Sequence, residues 1–391
     1  MGSVRGKTVS SVNAKWDTRR IVVVGLLVAL FVMSYFIIHT FIVTEEKMDT
    51  TSHFVKARID SVLQDNTQVD ETTEGVLRGS QEVIVEITSP GEFKGKKYQT
   101  SNYLSALFNI DAQQGTKVIV RLDPFQDGYN AFIYSYDRSG VLLFMFAFFA
   151  IALVFIGRGK GFMALISLLV TLVSVWGILF PLIEYGFPIL LVTVLVVFYD
   201  TVFTFALIDG INKKTFSAAV GTLLGVVIAS LFAAISGAVS HISGFQTNEA
   251  EELLLIGTDH GMHIRGLFTA GIIVASLGAV MDVAMSIASS VHELHEVNKG
   301  LSAMELFRSG MNIGRDAMGT MANTLILAFA GSSFTLLLLI YYYNIPFTQL
   351  INTDLVAREV IQGISGSIGI VLTVPIVAFL ASRVECYEKR A

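Results

Sequence analysis

Cysteine, tryptophan and charged residues are all scarce in this chain of 391 residues. The one cysteine, Cys386, excludes an intramolecular disulfide and a cluster of thiolate ligands around one metal ion. Charged residues make up only 15% of the sequence, whereas hydrophobic residues make up 53%. This balance, with a mean hydropathy of +0.64, excludes an ordinary soluble domain and indicates an integral membrane protein.

Common enzyme signatures are also missing. No GxSxG nucleophile elbow occurs in the sequence. The run GRGKG at residues 157–161 is basic and glycine-rich, but it lacks the GxxxxGK[ST] spacing of a phosphate-binding loop. We therefore expect no enzymatic activity and no cofactor.

Long apolar runs are the main positive feature. A helix needs about 20 mainly apolar residues to cross a bilayer. The sequence therefore predicts an all-α polytopic membrane protein with eight transmembrane helices. These predicted spans are, in order, Ile21–Val43, Val141–Ile156, Phe162–Ile183, Phe187–Ile208, Phe216–Val239, Leu267–Ser289, Met321–Tyr342 and Val360–Ala381. The first run is too long for a signal-peptide core, so we expect it to remain as an anchor.

The positions of lysine and arginine predict the orientation of the spans in the membrane. Loops rich in these residues face the cytoplasm, and they occur before span one, after spans two, four and six, and after span eight. We therefore expect both termini on the cytoplasmic side of the membrane. The predicted organisation is a basic tail at 1–20, span one at 21–43, a seven-helix membrane domain at 140–383 and a short tail at 384–391.

Residues 50–136, between spans one and two, change to a period of two with many β-branched side chains. Five such runs separated by Gly and Asx residues predict a small extracytoplasmic all-β domain, either an OB-like barrel or a sandwich. No stripe of aromatic and basic residues runs along these strands, so we expect no nucleic-acid partner. The domain could guard or feed the membrane domain, bind an envelope protein, or serve as a spacer.

Two carboxylates lie inside the predicted spans. Acids in lipid-spanning helices are costly, and they usually mark ion or proton paths. Asp200 in span four and Asp282 in span six lie at similar depths, so the two could meet across a bundle core. The predicted proton or ion pathway consists of Asp200, Asp282, Thr204, Ser286 and Asn323. The alternative is that the acids are protonated and only hold helices together.

Small residues predict close helix contacts. Ser217, Gly221 and Gly225 follow one another at spacings of four in span five, and Gly278 adds a small residue in span six. Such ridges let a second helix approach backbone to backbone.

One external loop concentrates potential metal ligands. His241, Asp259, His260 and His263 lie between spans five and six, and transition metals favour imidazole with carboxylate. Glycines interrupt the helix that would align these groups, so a solvated polar loop is the alternative.

The sequence of spans six and seven is the most recognisable. GAVMDVAMSIASSVHEL, followed by FRSGMNIGRDAMGTMANTLILAFAGSSFTLLLL, resembles the YibE/YibF-like family of bacterial membrane proteins, and the resemblance extends over the whole chain. The resemblance implies a protein of the bacterial plasma membrane but little chemistry, because members of the family are mostly described as transporters or are uncharacterised. Gly278, Ala279 and Asp282, followed by Asn323, are also similar to an element of the SecD/SecF proteins and the wider RND superfamily. Those proteins couple proton flow to transport or export, and the similarity carries over only Asp282 and Asn323.

From these features we expect a secondary transporter or export factor that is proton-coupled through Asp282 and Asp200. Its expected partners are the lipid bilayer, protons or ions, and a substrate that the sequence does not identify. The alternative is a non-transporting scaffold whose β-domain binds an envelope protein. Assembly into a homo-oligomer stays open.

Overall fold

The computed structural model describes residues 18–41, 52–73, 75–125, 128–242, 252–253 and 266–387. It divides the chain into two compact units. One unit covers residues 45–155, and the other combines residues 1–44 with residues 156–391.

The unit at 45–155 is built on an antiparallel sheet. Its strands are β1 His53–Asp65, β2 Gln68–Val69, β3 Leu77–Ile87, β4 Lys97–Leu104, β5 Lys117–Phe125 and β6 Gly128–Tyr136. The strand order is β2-β3-β1-β5-β6, and β4 pairs with β3. The Thr100 hydroxyl of β4 donates to the carbonyl of Ala131 in β6 at 2.6 Å, so the sheet curls into a half-barrel. The predicted antiparallel β-domain is confirmed at this level, whereas the short β2 was not predicted.

The alternation of buried and more exposed residues explains why these segments form strands. Every second residue of β3, from Val83 to Ile87, points into the core, and β5 repeats the pattern from Val118 to Leu122. The buried Gln81 side chain accepts from the amides of Asn102 and Ala112 at 3.1 and 2.9 Å. Because its polar atoms are paired, this glutamine can lie in the core without a large desolvation cost.

Helices make up the rest of the described chain. They are α1 Thr18–Phe41, α2 Ser139–Ser174, α3 Phe180–Glu184, α4 Ile189–Ile208, α5 Lys213–Val239, α6 Leu267–Val297, α7 Ala303–Ser332, α8 Phe334–Tyr342, α9 Phe347–Ile351 and α10 Asp354–Cys386. A π-helical turn, Val175–Leu179, joins α2 to α3.

Several of these helices suit a membrane, as predicted. Within the described residues, six helical segments are long and apolar enough to cross a bilayer, and α7 with α8, bent by 66°, would make a seventh. The predicted count of eight differs because spans two and three lie in one helical stretch, Ser139–Glu184. The backbone of Arg158 interrupts that stretch, with φ 49° and ψ −131°.

The helices of the second unit pack around α10. This helix contacts α5, α6 and α7, while α6 also contacts α4 and α5. Small residues allow a close contact between α5 and α10: a Cβ built on Gly369 of α10 would lie 2.8 Å from the Cβ of Ala229 in α5. Most of the core between these helices is made of almost wholly buried valine, isoleucine and alanine side chains.

Candidate functional site

Asp200 lies in the middle of α4 and is only 2% exposed. Its Oδ1 atom accepts a hydrogen bond of 2.8 Å from the Ser174 hydroxyl. The same hydroxyl lies 2.9 Å from the carbonyl of Val170. Among the described residues, Asp200 has no ion pair with a lysine, arginine or histidine. A carboxyl group is therefore buried in an apolar helix with one neutral hydrogen-bond partner.

The partners of α4 come from one face of α2. Ser167, Thr171 and Ser174 are spaced by four and three residues, which places them on the same side of a helix. The hydroxyls of Ser167 and Thr204 lie 2.5 Å apart. Ser174 is the last residue before the π-helical turn. Turns of this kind occur frequently at functional sites.

Two cavities adjoin this hydrogen bond. One, of about 280 Å³, reaches the C-terminal half of α4, and its lining includes Ser167, Thr171, Asp200, Thr204, Gly278 and Met281. The other, of about 290 Å³, reaches the N-terminal half, and its lining includes Leu30, Ser34, Ser174, Phe187, Leu195 and Tyr199. Asp200 lines only the first cavity and Ser174 only the second, so the hydrogen bond between them links the two.

The other predicted pathway residues lie elsewhere. Asp282 and Ser286 are exposed on α6, and Asn323 is exposed on α7. None of the three lines the cavity at Asp200. The structure thus brings Asp200 and Thr204 into one site and leaves Asp282, Ser286 and Asn323 outside it. The side chain of Asp200 is buried in the protein interior, whereas that of Asp282 is exposed. The similar depths predicted from the sequence therefore do not put the two acids in one site.

The predicted packing residues are placed as follows. Ser217, Gly221 and Gly225 are buried on α5. A Cβ on Gly221 would collide with Val377 of α10, and one on Gly225 would collide with Thr373. Gly278 differs, because a Cβ there would meet no atom of the described structure within 4 Å.

The predicted metal ligands lie mostly outside the described residues. Asp259, His260 and His263 fall in the segment that the structure does not describe. His241 is exposed and has a left-handed backbone with φ 55°. Over the described ranges, no three His, Cys, Asp or Glu side chains are grouped in a way that could hold a metal ion.

A cluster of charged residues lies at the C-terminal end of α4. Lys160 donates to Asp209 at 2.8 Å, and Lys214 lies 3.5 Å from the same carboxylate oxygen. Burial acts to raise the pKa of Asp209, but the hydrogen bond from Lys160 and the charge of Lys214 outweigh it, so the pKa lies below its usual range. The cluster joins the start of the second part of α2 to the end of α4.

Sequence reasoning missed Ser167 and Ser174. Hydroxyl residues are common in apolar helices, where they can donate to the carbonyl four residues earlier, so they carry little signal alone. The available signal was the spacing: Ser167, Thr171 and Ser174 form a polar stripe on an otherwise apolar span, as Asp200 and Thr204 do on α4.

Comparisons with known proteins identify a family for this chain. No curated protein and no solved structure matches the chain. The family model described as YibE/F-like protein matches residues 145–386, which is more than half of the chain. This protein therefore belongs to the YibE/F-like family.

Proposed function

We propose that this protein is a proton-coupled secondary transporter or export factor of the bacterial plasma membrane, in which Asp200 carries the proton. The observation that supports the proposal is the bond between Ser174 and a buried carboxyl group that has no counter-ion in the described structure. Acids inside membrane helices commonly belong to ion and proton paths.

Ser174 suits both protonation states of Asp200. Its hydroxyl has one proton and two acceptors within reach, Asp200 Oδ1 and the carbonyl of Val170. When Asp200 is ionised, Ser174 donates to the carboxylate. When Asp200 is protonated, the acid donates to Ser174, which in turn donates to Val170. The bond between the two side chains therefore persists in both states, so Ser174 can follow the gain or loss of the proton.

The two cavities provide the routes. One extends along the N-terminal half of α4 and the other along its C-terminal half, so they approach the hydrogen bond from opposite ends of the helix. A secondary transporter exposes one central site alternately to the two sides of the membrane. The π-helical turn after Ser174 provides a place where α2 can adjust its helical register during that change.

We further propose eight transmembrane spans with both termini in the cytoplasm. Lys160 contacts Asp209 at the end of α4, and Glu184 precedes the start of α4 by a short loop. The part of the Ser139–Glu184 stretch after Arg158 therefore runs antiparallel to the whole of α4. At about 1.5 Å per residue, the full 46-residue stretch would be far too long for one crossing of a hydrocarbon core of about 30 Å. Its first part then forms a span of its own, and the bent pair of α7 and α8 supplies another.

A scaffold role is the second candidate, and one observation favours it. The sheet exposes three aromatic side chains on β1 and β6, the strands on either side of β5: Phe54, Phe132 and Tyr134. The rings of Phe54 and Tyr134 lie 5.0 Å apart, and the Arg121 guanidinium lies over Phe132. Exposed aromatic groups with an arginine are typical of binding surfaces. An envelope protein bound there would use the β-domain without any transport.

Proton movement separates the two candidates. Purified protein in liposomes is given a pH step in the presence of a small-molecule cell extract, and the internal pH is followed with a dye. We expect Asp200→Asn to abolish the protein-dependent proton flux and Ser174→Ala to slow it. Thr201→Val is the matched control, because Thr201 is equally buried on α4 but donates only to Val197 of its own helix.

A second measurement does not need the substrate. Infrared difference spectra across a pH step detect a carboxyl group that gains a proton, and the band assigned to Asp200 should disappear in Asp200→Asn. Normal flux in Asp200→Asn, with no carboxyl band missing, would favour the scaffold.

A further inference from the structure

We propose that the cavity beside Asp200 binds an organic monocation, such as a quaternary ammonium ion, in exchange for the proton of this residue. The inference rests on the proposed function, because it names the substrate class of the same site. The cavity has a volume of about 280 Å³ and lies between α2, α4 and α6. Its lining combines one acid with hydroxyl groups and apolar side chains.

The charge of the lining is that of a cation site. Asp200 is the one ionisable side chain among the described residues that line the cavity, and no lysine, arginine or histidine accompanies it there. Lys160 and Lys214, at the C-terminal end of α4, are both paired with Asp209. An anion would therefore find no counter-charge in the cavity, and the ionised form of Asp200 would repel it.

Asp200 has one oxygen atom free to meet a ligand. Its Oδ1 atom accepts from Ser174 at 2.8 Å, whereas its Oδ2 atom has no hydrogen-bond partner in the described part of the chain. Because Ser174 lines the other cavity, a cation in this one can approach the carboxylate without displacing the serine. The cation then neutralises the buried charge that the proton neutralises in its absence.

The rest of the lining suits an organic cation better than a divalent metal ion. Its other polar groups are hydroxyls, those of Ser167, Thr171 and Thr204. Magnesium and calcium ions take six or more oxygen ligands, and one carboxylate with these hydroxyls supplies fewer. The remaining lining residues are apolar, among them Leu168, Val196, Leu277 and Met281. A mostly apolar wall with one charged group matches a ligand that carries apolar groups around one positive charge.

Other titratable groups on α4 and on the helices packed against it lie outside this cavity. They include Tyr199 of α4, His39 of α1, Glu184 of α3, the lysines that begin α5 and Asp282 of α6. Tyr199, the residue before Asp200, donates to the carbonyl of Leu27 at 3.2 Å and lines only the second cavity. Competition for one carboxyl group therefore predicts an exchange of one proton for one monocation. Because this exchange moves no net charge, a pH gradient should drive it and the membrane potential should not.

Proton release measures the competition. Purified protein in a weakly buffered neutral detergent is titrated with tetraalkylammonium ions, from tetramethyl to tetrabutyl, and a dye records the pH. These ions carry no acidic proton, so any released proton comes from the protein. We expect one proton per bound cation while Asp200 is protonated, and a dissociation constant that falls by up to about tenfold per pH unit in that range.

Two variants on α4 locate the released proton. Asp200→Asn should release none and should bind the cation at least about tenfold more weakly, because the counter-charge is absent. Thr201→Val should behave as the parent protein does, since Thr201 donates only within its own helix. Sodium chloride at the same concentrations is the inorganic comparison and should release no proton.

A larger side chain tests whether the cation occupies this cavity. Gly278 lines it, and a Cβ there would meet no described atom within 4 Å, so Gly278→Leu has room to occupy part of the space. This variant should lose cation binding but keep the infrared carboxyl band of Asp200. Gly271→Leu is the matched control: Gly271 is also exposed on α6 with no described atom within 4 Å of a Cβ, but it does not line the cavity.

The outcomes separate the substrate class from the proposed function. The cation site would be overturned by no binding of any tetraalkylammonium ion, by binding without proton release, by equal release with sodium chloride, or by equal binding in the two leucine variants. Each of these results would leave Asp200 as the proton carrier. Absence of the Asp200 carboxyl band from the parent protein would overturn the proposed function and this inference together.

Discussion

Replacing Gly225 with alanine should destabilise the membrane bundle. The added Cβ would collide with the hydroxyl of Thr373 and would lie 3.0 Å from Val280. Thr373 cannot turn aside freely, because its hydroxyl donates to the carbonyl of Gly369 at 2.7 Å. Overpacking a tight core costs about 1–3 kcal/mol, and the better helix propensity of alanine returns about 1 kcal/mol. We expect a net loss of about 1 kcal/mol in the free energy of unfolding.

Reversible unfolding by SDS in mixed micelles measures this loss. Gly237→Ala is the matched control on the same helix, since a Cβ there meets no described atom within 4 Å. The control should be neutral or stabilised by up to about 1 kcal/mol. Adding Thr373→Ala to Gly225→Ala should recover most of the lost stability, because the colliding hydroxyl is then absent. Equal effects of Gly225→Ala and Gly237→Ala would refute the close packing of α5 on α10.

Three further predictions concern charged groups. Asp200→Asn should abolish proton flux whereas Asp282→Asn should leave it largely intact, because Asp282 does not line the cavity at Asp200; an equal loss of flux in both variants would contradict the placement of the site. The bonds from Ser139 hold the pKa of Asp137 below its usual range. The Asp137 carboxylate should therefore stabilise the β-domain fully above about pH 5, and this stabilisation should fall as the pH drops below about 4. In acid unfolding followed by circular dichroism, the stability of Asp137→Asn should depend less on pH than that of the parent protein. Lys160→Ala should lower the melting temperature less than Asp209→Asn, because Lys214 still pairs with Asp209 in the former.

The β-domain was largely predictable because a half-buried strand shows its period in the sequence. The run KYQTSNYL coincides with β4, and the alternating valines of β3 and β5 mark their inner faces. The order of the strands was not predictable, because it depends on pairings between distant segments. The two-residue β2 is too short to show a period.

In the membrane part, the sequence predicted which acids lie within helices but not which way they face. Asp200 and Asp282 have similar surroundings along the chain. The two acids differ in the residues one turn away on the same helix: Val196, Val197 and Phe203 lie near Asp200, whereas Asp282 shares its side of α6 with the small residues Gly271, Ala275 and Gly278. Ser174 was missed because its role depends on a contact with α4.

The π-helical turn can absorb a change in chain length next to Ser174. Its residues bond from i to i+5, so deleting one residue of Val175–Leu179 lets the segment return to i→i+4 bonding with little rotation of α2 relative to α3. In the α-helical run before this turn each residue turns the helix by about 100°, so a deletion between Ser167 and Ser174 would rotate Ser167 away from Thr204. A one-residue deletion should therefore be tolerated within Val175–Leu179 and not within the run from Ser167 to Ser174.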